Sequence, residues 1–214
     1  MLDLNSERWK ELDDQLKQQA LVPKLIKKWN QSIGTEAEEE SYTHLRESFL
    51  HQLTISEIAY AIVPDIVYNI DRLPVNRKVD CILDISFVEG ARASIKGALE
   101  NEHREFEAQQ TLDKKLKKHT KEAIIRRQPS LPDDLADDYF ASILKVRKYA
   151  LDLFYDKMEP YNFRLLLSAI AIIFGHDTLG SILYRLDTIY CECSICQKIK
   201  VPDDLITLKK HGYV

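Results

Sequence analysis

The chain has 214 residues, 45% of them hydrophobic and 30% charged, a globular rather than disordered composition long enough to bury a substantial core. Only 6 Gly and 7 Pro punctuate it, too few for the many turns of a β-sandwich but sufficient for long helices. A formal net charge of −4 argues against a general duplex-DNA binder, whose affinity comes from Lys and Arg neutralising phosphates.

Ser6 is a good N-cap and predicts a first helix running to about Gln19, with Trp9, Leu12 and Leu16 in one apolar stripe. A second helix, from Pro23 to about Gln31, carries Leu25, Ile26 and Trp29, and places Pro23 in the first turn where a missing N–H is harmless. Glu36, Glu38, Glu39 and Glu40 crowd the segment from Gly34 to Glu40, which reads as a solvated loop. The apolar pattern resumes with Tyr42, Leu45, Phe49 and Leu50.

Thr54 and Glu57 have the spacing of a reciprocal capping box, with Leu53 and Ile58 placed for a hydrophobic staple. They predict a helix from Ile55 to about Ile70, bent where Pro64 releases the carbonyl of Tyr60. After a turn at Asp71 to Asn76, a partner helix is expected over 75–88 with Val79, Ile82, Leu83 and Phe87 inward. Residues 91–127 are helix-prone but polar, and predict one or two exposed helices broken near Thr111. A linker over 129–134 is the candidate sub-boundary, near 128–134, of what otherwise reads as a single helical domain over 1–214.

Tyr139, Ile143, Val146, Ala150 and Leu153 alternate by four and three, the spacing of a helix packed along one seam. The segment from Phe163 to Phe174 is apolar nearly all round and should be covered on several sides. Its run from Leu165, broken only by Ser168, is about half the length needed to span a bilayer, so no membrane partner is expected. Gly175 fits a left-handed helix stop, and Asp177 should cap a helix from Thr178 to Tyr190 with Leu179, Ile182, Leu183 and Leu186 inward. Asp203 or Asp204 is placed to cap a last short helix.

These elements amount to an all-α chain. The run Ala59-Tyr60-Ala61-Ile62-Val63-Pro64-Asp65-Ile66-Val67, then a turn and Asn76-Arg77-Lys78-Val79-Asp80, resembles a HEAT repeat with its proline in the first helix. Phe163 through Leu186 resembles a second without the proline, so antiparallel pairs stacked as a degenerate HEAT/armadillo-like α-solenoid are expected. His51-Gln52 shortly before Ala59-Tyr60-Ala61 and Pro64, together with a C-terminal Cys cluster, is similar to small bacterial HEAT-like proteins. The resemblance covers roughly 45–90 and 160–196. It implies binding of a protein partner and, in its narrower form, an immunity protein that occludes a toxin such as a nuclease.

Met1 to Glu7 lacks the basic-then-apolar order of a signal peptide, so a cytoplasmic, reducing location is expected and the 4 Cys should be thiols or metal ligands. Cys191, Cys193 and Cys196 include the two-residue spacing of a zinc knuckle; a structural Zn²⁺ there needs a fourth ligand, for which His176, His211 and Cys81 are candidates. The other readings of the same residues are a helix end that contains small thiols and a redox or reactive-thiol role.

His51, Gln52, Ser56 and Tyr60 could form a hydrogen-bonded cluster at the Pro64 bend or part of a binding surface. Glu38, Glu39 and Glu40 could be solvated or meet a basic cleft on a partner. His44, Glu47 and His51 share a helical spacing that could hold a metal, although polar residues at an interface or satisfied by backbone carbonyls are the blander reading. The run from Lys114 to Lys121 reads as a solvated face before a nucleic-acid contact. No phosphate-binding Gly-rich loop, Gly-x-Ser-x-Gly elbow or His-Glu-x-x-His is present. The expectation is therefore a non-enzymatic protein-binding helical protein with no required cofactor. The alternatives are a zinc-binding regulatory or nucleic-acid module built on 191–196, and a helical enzyme without a familiar motif.

Overall fold

A computed structural model describes residues 1–13, 19–51, 54–108 and 130–190, without side chains at 51, 54, 94–108, 178 and 185–190. Seven α-helices make up nearly all of its regular structure: α1 (Val22–Ser32), α2 (Glu38–Phe49), α3 (Glu57–Asn69), α4 (Val75–Ala108), α5 (Asp133–Leu153), α6 (Pro160–Ile173) and α7 (Asp177–Tyr190). The only strands among the described residues are β1 (Leu50–His51) and β2 (Thr54–Ile55), a two-residue antiparallel bridge that turns α2 into α3. No helix among the described residues is long and apolar enough to cross a membrane.

Several elements differ from the sequence expectation. Ser6 does cap, accepting from the Arg8 amide, but it opens a 3-10 turn over Glu7–Lys10 rather than a long helix. Trp9 and Leu12 are nevertheless buried, so this part of the stripe survives without the helix. Thr54 is in the extended bridge, and Ser56 takes the N-cap position of α3 without a side-chain cap. Glu57 turns instead to the Asp13 amide, 3.0 Å away, and ties the N-terminal segment to α3. Leu16 and the staple residue Leu53 lie outside the described residues. Helix α3 runs unbroken through Pro64.

The partner helix does not stop at 88. Helix α4 continues through the polar segment to Ala108, 34 residues in all and about 51 Å at 1.5 Å per residue. Gly90 sits inside it because α6 passes there: a Cβ on Gly90 would lie 2.7 Å from Ile172 Cγ2. The expected break near Thr111, the run from Lys114 to Lys121 and the caps at Asp203 or Asp204 lie outside the described residues.

Two hairpins, α1–α2 and α6–α7, pack between sequence neighbours, while α3 packs chiefly on α5 and α4 chiefly on α6. One continuous core results, with Trp9, Trp29, Tyr42, Tyr60, Tyr139 and Phe49 its largest fully buried side chains. Gly175 ends α6 with φ +85, and the His176 amide reaches back to the Ala171 carbonyl at 2.7 Å, as a left-handed helix stop requires. Asp177 is the first helical residue of α7 rather than its cap, a position where its charge still favours the helix dipole. Leu179, expected inward, is exposed.

Gly180 lies against α6 so closely that an added Cβ would overlap Ile172 Cγ1 and sit 2.9 Å from the Ser168 carbonyl. Ser168 Oγ donates to the Gly180 carbonyl at 2.7 Å across the same contact. Gly180→Ala is therefore expected to lower stability by about 1–3 kcal/mol through overpacking, read as a lowered urea midpoint with unchanged slope.

Asp65 is buried in α3, and its Oδ2 has no hydrogen-bond partner among the described residues. Burial pushes its carboxyl up from 3.8 to about 7. The folded chain then keeps a proton that the unfolded chain releases, so stability falls as pH rises from about 4 through 7. Asp65→Asn removes that loss. It should stabilise by about 2–4 kcal/mol at pH 8 and by almost nothing near pH 3.5, in paired denaturation curves.

Candidate interaction surface

The site residues named from sequence separate into buried, exposed and undescribed groups. Glu38, Ser56 and Tyr60 are buried. Glu39, Glu40, His44 and Glu47 are on the outer side of α2, and His176 is exposed in the turn between α6 and α7. The side chain of His51, all of Gln52, and Cys191, Cys193, Cys196 and His211 lie outside the described residues. Cys81, proposed as a fourth zinc ligand, is buried in α4, where burial pushes its thiol far above the usual range. Among the described residues no group of three or more His, Cys, Asp or Glu is disposed to hold a metal ion.

Glu38 corrects the reading of 34–40 as a solvated loop. It opens α2, and its carboxylate turns inward to accept from Trp29 Nε1 at 2.9 Å and Arg77 Nε at 2.9 Å. Arg77 also donates from Nη1 to Asp80 at 2.6 Å and lies over the Tyr42 ring, 5.1 Å from its centroid. Further along both helices, Arg46 Nε reaches both oxygens of Asp84 at 2.8 and 2.9 Å, and the Tyr42 hydroxyl donates to the same carboxylate at 3.1 Å. Burial raises Asp84 to about 6 against the opposing pull of Arg46. This polar layer clamps α2 to α4 and leaves Glu39 and Glu40 as the acidic, solvent-facing start of α2.

Tyr60 is not a surface anchor. Its ring packs edge-on against Tyr139 at 5.2 Å, and burial raises its hydroxyl to about 12. Tyr139 in turn donates to Glu89 at 2.9 Å, and Glu89 accepts from Arg92 at 2.7 and 2.8 Å. This second polar layer joins α4 to α5.

The outer side of α5 carries what sequence reasoning missed. Phe140, Leu144, Leu151 and, just past the helix, Tyr155 are 42%, 64%, 47% and 87% exposed. Spacings of four and seven residues put Phe140, Leu144 and Leu151 on one face, separate from the buried seam of Tyr139, Ile143, Val146 and Ala150, and Tyr155 follows in the turn after the helix. The signal was present as a second apolar stripe in the same helix, but the stronger seam masked it. Arg147 joins this face to the end of α6: it donates to the Ile173 carbonyl at 3.0 and 3.2 Å, and its guanidinium lies 5.4 Å from the centroid of the exposed Phe174 ring. Arg92 stacks on Phe140 at 5.0 Å. Both cations hold aromatic rings in place at the surface, an arrangement suited to contact with another macromolecule.

Because Glu38 is buried and Arg77 is largely shielded beside it, removing the Arg77 charge leaves the carboxylate uncompensated. Arg77→Met should cost about 3–5 kcal/mol of unfolding free energy in urea, and a loss below about 1 kcal/mol would show that this pair does not hold α2 on α4. In comparisons with known proteins, the chain matches no family model, no curated sequence and no solved structure.

Proposed function

We propose that this chain acts by binding another protein chain, without catalysis of its own, and that the outer stripe of α5 is the contact. The supporting observation is the exposure of Phe140, Leu144 and Leu151 on a single face of a helix whose adjoining face is buried in the core. Aromatic and aliphatic side chains held this way are the anchors from which protein interfaces are built. The two hairpins support a stacked, HEAT-like arrangement of helices behind that face, although α3 and α4 pair mainly with helices distant in sequence. A narrower form takes the partner to be a bacterial toxin, with Glu39 and Glu40 meeting its basic surface; it rests on the sequence resemblance and on the exposure of those two carboxylates.

The general reading is tested by comparing proteins that copurify with the tagged chain and with Leu144→Lys. Because Leu144 is exposed, the variant should fold normally yet lose its specific partner by tenfold or more, about 1.4 kcal/mol of binding. An unchanged set of partners would remove the α5 stripe from consideration. For the narrower form, coexpression should protect cells from the cognate toxin, and Glu39→Lys with Glu40→Lys should abolish the protection.

A further inference from the structure

The outer face of α5 has an order of charges and apolar groups that suits pairing with its own reverse. Along it, Asp137, Phe140, Leu144 and Arg147 occur at spacings of three, four and three: acid, apolar, apolar, base. Asp137 is exposed and has no ion pair or hydrogen bond from its side chain among the described residues. Arg147 uses Nε and Nη2 on the Ile173 carbonyl, and Nη1 has no hydrogen bond among them. The two charges lie ten residues apart, about 15 Å along the helix, and are too far apart to neutralise each other.

We infer that the partner seated on the Phe140 and Leu144 part of this stripe is a second copy of this chain, with the two α5 helices antiparallel about a two-fold axis that crosses the outer face midway between those two residues. The inference rests on the reading of the stripe as a protein-contact face and names its occupant. In that register Phe140 faces the partner's Leu144, and Leu144 faces the partner's Phe140, giving an apolar centre of four side chains. Asp137 faces the partner's Arg147 at one end, and the same pair recurs at the other. Positions three and four apart are the seam along which helices pair, and in antiparallel pairs each seam position meets its mirror position in the partner.

A parallel pair would instead oppose Asp137 to itself and Arg147 to itself, which like-charge repulsion disfavours. An isologous contact is the natural product of a self-complementary patch. The Ile173 carbonyl and the Phe174 ring hold Arg147 in place beforehand, so little side-chain freedom is lost on pairing. With one helix as its centre the interface is small, so association should depend on concentration.

Sedimentation equilibrium of the intact chain from about 1 to about 200 μM provides the test, because a small interface places dissociation in this range. The expected mass rises from 24.9 kDa towards twice that value. Leu144→Lys should remain monomeric throughout, with an unchanged circular-dichroism spectrum. Asp137→Arg and Arg147→Asp should each self-associate at least tenfold more weakly, yet recover pairing when mixed, since each then supplies the charge the other lacks. If Arg147→Asp fails to fold, the Asp137→Arg and Leu144→Lys results alone decide the matter.

A wild-type chain that is monomeric at the highest concentration overturns the inference. So does a dimer that survives Leu144→Lys, or an equimolar mixture of folded charge variants that does not recover. A monomer that still captures a different protein through Leu144 overturns self-pairing and leaves the protein-contact reading standing. Indifference of every association to Leu144→Lys overturns both.

Discussion

The ion pair of Glu38 and Arg77, completed by Trp29, is the polar contact that joins α1, α2 and α4. Charges withdrawn from water are costly unless their hydrogen-bonding groups are satisfied. Here Trp29 supplies a donor to Glu38 and Asp80 an acceptor to Arg77, while Arg77 Nη2 has no hydrogen-bond partner among the described residues. Such a pair adds little net stability compared with apolar packing. Its effect is to select one register. Sliding α2 along α4 by a turn would part Glu38 from Arg77 and Arg46 from Asp84 together.

Helix α4 carries this selection across the molecule. Its first turns meet α2 through Arg77, Asp80 and Asp84, its middle meets α5 through Glu89, and Gly90 lets α6 approach closely. One rigid element therefore ties the α1–α2 hairpin to the α6–α7 hairpin. A chain of helices each touching only its sequence neighbours would bend at every junction, whereas a shared spine holds the surface of α5 in one orientation.

That orientation matters because α5 is asked to be apolar on two faces. The seam containing Tyr139 and Val146 is buried against α3 and α4, while Phe140 and Leu144 on the adjoining face meet solvent. Arg92 covers part of the Phe140 ring, and Arg147 part of the neighbouring Phe174 ring, without burying either. An apolar face kept ordered and only partly covered is what supports the proposed contact with another chain.

Composition, the scarcity of Gly and Pro, and apolar residues recurring every three to four positions were enough to specify an all-helical chain, most helix positions and most of the core. These are local properties, set by backbone geometry and by which side of a helix each residue falls on. Ser6 as a cap and Gly175 as a stop were legible for the same reason. The fate of individual polar residues was not. Glu38 and Glu39 are adjacent and chemically identical, yet one is sealed inside and the other faces water, because only the approach of Arg77 and Trp29 from other parts of the chain distinguishes them. The capping box at Thr54 failed similarly, once the bridge to His51 and the reach of Glu57 to Asp13 offered alternatives in three dimensions. Likewise the pattern of α5 announced two apolar stripes, and only the packing of α3 and α4 decided which one would remain at the surface.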